Sequence, residues 1–134
     1  RMNKKKTEIA WRVLWNQRSV IGRFAVSNRI PPIIKPTERF KSTARETFGR
    51  LMQCRTGHAY IGEYYSKFVP SKNVDCPCGE ARQTREHILR ECPVYEDYRY
   101  ILQKVSQDVC LADILGSEDG IEALTEFLEL SGAF

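Results

Sequence analysis

Cys76, Cys78, His87 and Cys92 fall within seventeen residues, CPCGEARQTREHILREC. Their spacing is C-x-C, eight residues, H, four residues, C. Thiolate sulfur and imidazole nitrogen are the donors that tetrahedral Zn²⁺ selects. Four protein donors leave no position for a water, so the pattern predicts one structural zinc rather than a catalytic one. The single-residue gap between Cys76 and Cys78 is tighter than the usual two to four. Ordinary buried or surface thiols are the alternative.

A second pair, Cys54 and His58, is four residues apart at a predicted helix end. A nucleophile and its base can have this spacing. Nothing nearby offers an orienting third group or an oxyanion hole. A second metal site, or a buried thiol beside a helix-end His, are the other readings. The sequence has no phosphate-cradling GxxxxGK[ST] loop. Its acids show no grouping that points to a two-metal nuclease or polymerase centre. The expectation is a non-catalytic chain with no small-molecule substrate.

The elements around the quartet follow from local signals. Gly79 gives the turn after the Cys pair the backbone freedom that close approach to a metal needs. Thr84 is an N-cap, which puts His87 in the first turn of a helix ending near Cys92. Pro93 cannot continue that helix. Residues 93–107 read as the next helix, with Val94, Tyr98, Ile101, Leu102 and Val105 on one apolar stripe. Leu111–Leu115 is a short apolar turn. Ser117 caps a last helix with Glu118 and Asp119 at its positive end. Ile121, Leu124, Phe127 and Leu128 form its buried side, Glu122, Glu126 and Glu129 its wet side, and Gly132 its end.

Upstream, residues 1–7 are a basic lead-in expected to fray. Residues 7–17 form a helix whose Trp11 and Trp15 serve either as core or docking anchors or as base-stacking platforms. Residues 18–37 hold Pro31, Pro32 and Pro36 and read as an extended connector, either a solvated linker or a strap along a phosphate backbone. Thr37 caps a helix running to about Thr56, with Phe40, Ala44, Phe48, Leu51 and Met52 buried and Gly57 as its C-terminal cap. Residues 59–68 form a short helix with Ile61, Tyr64 or Tyr65, and Phe68 towards the core. Its Tyr cluster near Lys67 either packs in the core or stacks bases. The expected fold is therefore mostly α: a small helical domain at 37–134 with one zinc knuckle, preceded at 1–36 by a basic helix and a Pro-rich connector.

The chain has 134 residues, 42% apolar and 28% charged, which suits one folded domain. No apolar run approaches the ~20 residues of a membrane helix, and no apolar stretch of a secretory signal follows RMNKKK. A start at Arg1 fits a piece of a longer chain or a processed product. Five Cys, three of them in the quartet, leave Cys54 and Cys110 over, which favours a reduced intracellular protein over a disulfide framework. Residues 1–60 carry 14 Lys and Arg against 3 Asp and Glu, whereas residues 61–134 carry 7 against 14. Such asymmetry suits a basic half that meets phosphates, or two halves that attract each other.

The strings LMQCRTGHAYIGEYYSKFVP, CPCGEARQTREHILREC and ILGSEDGIEALTEFLELSGAF together resemble the C-terminal region of polyproteins from fungal LINE-type (non-LTR) retrotransposons. The resemblance runs from about Trp11 to Phe134. It implies a zinc-binding accessory domain, with ligands at Cys76, Cys78, His87 and Cys92, that binds RNA or DNA during target-primed reverse transcription. Arg12, Arg18, Arg23, Arg39, Lys41, Arg45, Arg50 and Arg55 would then supply phosphate contacts. It further implies a nuclear location, with passage through the cytoplasm as a ribonucleoprotein. The competing expectation is a scaffolding module for the parent polyprotein or for another protein, which the acidic C-terminal half favours.

Overall fold

The computed structural model of the chain describes residues 2–18, 22, 24–27, 29 and 43–134. The described residues are helical and include no strand, as the sequence predicts. Helix α1 spans Met2–Gln17, α2 Arg45–Thr56, α3 Gly62–Phe68 and α4 Arg85–Arg90. A 3₁₀ helix, Pro93–Tyr98, leads into α5, Arg99–Gln103. Then come α6, Leu111–Gly116, and α7, Glu118–Ser131.

Helix α7 is the centre of the core. The Ser117 hydroxyl accepts a hydrogen bond from the Gly120 amide at 3.0 Å and sets its start. Ile121, Leu124, Phe127 and Leu128 are buried, while Glu122, Glu126 and Glu129 are exposed. Burying each of the four large side chains contributes roughly 1.5–3 kcal/mol. They pack with Leu51 and Cys54 of α2, Ile88 and Leu89 of α4, Ile101 and Leu102 of α5, and Ile114 and Leu115 of α6. Helix α4, which carries His87, is thereby fixed to the core through Ile88 and Leu89.

Several expectations need correction. Helix α2 begins at Arg45, because Ala44 is extended (φ −56°, ψ 141°). An apolar period marks a helix face but not its start, and Thr37 and Phe40 lie outside the described residues. Gly57 does close α2 in the left-handed region (φ 78°). Residues 93–107 are not one α-helix. Tight 3₁₀ winding over Pro93–Tyr98 breaks the 3.6-residue stripe. As a result Val94 is 56% and Val105 37% exposed, and only Ile101 and Leu102 are fully buried. Phe68, expected in the core, is 49% exposed. Helix α1 includes the lead-in expected to fray, and its Trp11 lies at the surface rather than in the core.

Pro31, Pro32 and Pro36 lie outside the described residues, as does the boundary expected at 36/37. Within the 18–37 stretch expected to be extended, residues 24–27 instead form a turn, in which the Ser27 amide donates to the Phe24 carbonyl at 3.0 Å, and Ser27 is fully buried. Its hydroxyl donates to the Arg55 carbonyl at 2.6 Å.

Candidate metal centre

A short antiparallel knuckle carries the first two ligands. The Gln83 amide donates to the Val74 carbonyl at 2.8 Å, and the Cys76 amide to the Glu80 carbonyl at 2.9 Å. Gly79 turns the knuckle at φ 104°, where its amide donates to the Cys76 carbonyl. The knuckle packs on the start of α3, where the Glu63 amide donates to the Gln83 carbonyl at 2.8 Å. A Cβ on Gly62 would lie 2.0 Å from the Val74 carbonyl oxygen and 2.9 Å from the Gln83 nitrogen. Only glycine admits this approach.

Of the other two residues, His87 lies in α4 and Cys92 just beyond its end. The Thr84 hydroxyl accepts from the His87 amide at 3.0 Å, the cap expected from the sequence. The Cys92 amide donates to the His87 carbonyl at 2.7 Å, which folds the chain back over the helix end. The donor atoms of Cys76, Cys78, His87 and Cys92 all lie within 4.8 Å of one another. The Cys76 and Cys92 sulfurs are 3.7 Å apart, and Cys78 Sγ is 3.1 Å from His87 Nε2. A tetrahedron with metal–sulfur bonds of about 2.3 Å has edges of about 3.8 Å. The quartet therefore has the chemistry and the dimensions to hold one metal ion. With Nε2 turned inward, the buried Nδ1 has no hydrogen-bond partner and lies 3.8 Å from the Glu91 carboxylate one turn on. A carboxylate behind the far nitrogen is the usual support for a metal-bound imidazole.

The thiols differ electrostatically. A hydrogen bond with the Glu80 backbone brings the Cys78 thiol down to about 7, helped by Cys76, His87 and Cys92. Burial pushes Cys76 up to about 11. A cation at the centre would favour the thiolate at every sulfur. Cys54, by contrast, is fully buried in the core and is pushed up to about 12 by that burial. Cys110 is exposed. Among the described residues the metal-ligand grouping contains neither of them.

Two buried arginines hold the frame of the site, and the sequence reading passed over both. Arg85 is 6% exposed. Its Nε donates to Glu63 Oε2 at 3.0 Å and its Nη1 to the Cys54 carbonyl at 3.1 Å, joining α4 to α3 and to the end of α2. Arg99 donates to the carbonyls of Leu89 (3.0 Å), Ile88 (3.4 Å) and Cys92 (2.7 Å), and pairs with Glu96. It satisfies the carbonyls that the end of α4 leaves open. The signal lay in the strings themselves, since GEYY and TREH contain the two ion-pair partners, Glu63 and Arg85.

The candidate phosphate contacts are scattered in role. Arg12 and Arg45 are exposed. Arg18 stacks 3.7 Å from the Trp15 ring and donates to the Trp15 carbonyl. Arg50 donates to the Ala133 carbonyl at 3.1 Å. Arg55 donates to the Leu115 and Ser27 carbonyls at 2.9 and 3.1 Å. Arg23, Arg39 and Lys41 lie outside the described residues.

The described residues thus define a small helical module that carries a Cys₃His quartet able to hold a metal ion. In sequence, the chain is similar to stretches of retrotransposon polyproteins. It is 41% identical over 51 residues to the retrovirus-related Pol polyprotein of the type-1 retrotransposable element R1 of Popillia japonica, a match covering 37% of this chain and 21% of that protein. Over 99 residues it is 26% identical to the corresponding R1 2 polyprotein of Nasonia vitripennis, covering 73% and 23%. Over 127 residues it is 27% identical to a putative 115 kDa protein in element R1DM of Drosophila melanogaster, covering 90% and 12%. The chain thus spans less than a quarter of the length of these relatives. They are insect elements, which gives the fungal attribution no support. No protein-family model and no solved structure matches the chain. Among the described residues, no helix is long and apolar enough to cross a membrane.

Proposed function

We propose that this chain is a zinc-stabilised, non-catalytic accessory module of a retrotransposon Pol polyprotein, and that it binds RNA or DNA during target-primed reverse transcription. The observation that carries the reading is the Cys₃His quartet at tetrahedral spacing, in a chain similar to Pol polyproteins. Three thiolates and one imidazole suit Zn²⁺ over harder cations. All four donors come from the protein, so the ion is structural and locks the 74–83 knuckle onto α4. Structural zinc supplies on the order of 10 kcal/mol of apparent binding energy coupled to folding. The nucleic-acid role rests on the basic first half of the chain and on the exposed Lys4, Lys5, Lys6 and Arg12 of α1. The site of action is intracellular and nuclear, with a cytoplasmic ribonucleoprotein stage.

The test is fluorescence anisotropy of the zinc-loaded chain with labelled RNA and DNA across a salt series. Binding that weakens steeply with salt is the expected result. An absence of binding at low salt rejects the nucleic-acid role. It would favour docking to another part of the polyprotein, which the exposed acids of α7 and the internal engagement of Arg50 and Arg55 support.

A further inference from the structure

Tyr60, Tyr64 and Phe68 recur every fourth residue, so they line one side of α3 and the turn before it. Tyr60 and Tyr64 meet edge to face, with centroids 6.0 Å apart, and Tyr64 meets Phe68 at 5.0 Å. His58 extends the row, lying stacked against Phe68 at 6.0 Å and edge-on to Tyr64 at 5.9 Å. Rings in such number are normally core, yet here Tyr60 is 67% and Phe68 49% exposed, and His58 is exposed as well. A cation lies beside the row. Lys67 Nζ lies 5.8 Å from the Phe68 centroid, and Lys72 follows in the turn after α3. The one acid of α3, Glu63, is paired with Arg85 on the side facing α4.

We infer that this aromatic row is a stacking platform for the bases of a single-stranded nucleic acid, with Lys67 beside it to meet the backbone. The inference rests on the nucleic-acid reading above and names the strand class and the surface. A row of π-faces with a cation beside it, on a helix whose single acid is paired with Arg85, fits unstacked bases. An apolar protein segment needs no cation, and a duplex keeps its base faces inside. Protection of the rings by a partner protein is the competing outcome of the test.

The experiment compares Tyr60→Ala and His58→Ala with the wild-type chain, all zinc-loaded, binding labelled oligothymidylate, the matching base-free phosphodiester strand and a duplex. Both positions are exposed, so metal content and helicity stay at wild-type values. Stacking makes each variant weaker on oligothymidylate, by on the order of tenfold for Tyr60→Ala, with the slope of log K against log salt unchanged. The wild type should also prefer oligothymidylate to the base-free strand, and the variants should lose that preference. Wild-type affinity in Tyr60→Ala, or equal wild-type binding to the base-free strand, overturns the platform while leaving nucleic-acid binding in place. Wild-type failure on every probe overturns the nucleic-acid reading itself.

Discussion

Replacing Arg85 by Met tests how the metal knuckle is held to the helical core. The side chain is nearly buried, at 7%, and its partner Glu63 is 22% exposed. Two well-formed contacts vanish, Nε to Glu63 Oε2 at 3.0 Å and Nη1 to the Cys54 carbonyl at 3.1 Å. Hydrogen bonds involving a charged group contribute about 1.5–3 kcal/mol each, and removing one member of a buried pair strands the other. Glu63 keeps some access to water, which offsets part of that cost. Arg85→Met should therefore destabilise by about 3 kcal/mol, and Glu63→Gln by about 2 kcal/mol, because the amide still accepts one bond. The double variant should cost about 1 kcal/mol less than the sum, since the two groups act on each other. Urea unfolding of the metal-loaded proteins, followed by circular dichroism, measures all three. If Arg85→Met stays within about 0.5 kcal/mol of wild type, like an ordinary surface change, the anchoring role is refuted.

Two other outcomes follow from particular residues. Gly62→Ala places a Cβ 2.0 Å from the Val74 carbonyl oxygen, so backbone must move; a loss of about 3 kcal/mol or more by urea unfolding, with weaker metal retention against a chelator, is expected. Cys54 holds its proton to about 12 when folded, against an ordinary 9.0 when unfolded, so its contribution is intact below pH 9 and is lost as pH rises from there towards 12. Unfolding free energies across that window should fall about 1 kcal/mol per pH unit more steeply in wild type than in Cys54→Ala, and parallel curves would show that burial does not hold the proton there.

What the sequence made legible was local. Thr84 and Ser117 were readable as caps because a cap acts within three residues, and α7 was readable because one helix carried both its apolar and its acidic face. The quartet was readable because donor type and spacing are chemistry that survives without coordinates. The 93–107 stretch misled because 3₁₀ winding and the return of Arg99 to the α4 carbonyls depend on tertiary contacts. The structural roles of several arginines were hidden for the same reason. Arg50, Arg55, Arg85 and Arg99 look like any solvated cation in a string, yet each donates to a backbone carbonyl of the fold. The exposure of Tyr60 and Phe68 was equally hidden, since helical spacing places rings on a face without saying what covers it.

The central claim is that Cys76, Cys78, His87 and Cys92 hold one structural zinc. Metal analysis of the purified chain, paired with circular dichroism, tests it most directly in wild type and in Cys78→Ser, His87→Ala, Cys54→Ser and Cys110→Ser. The account predicts one zinc per chain in wild type, Cys54→Ser and Cys110→Ser. It predicts lost zinc and lost helicity in Cys78→Ser and His87→Ala, and in wild type after chelation. A wild-type chain without metal, or a His87→Ala chain that keeps both its zinc and its helices, would contradict it.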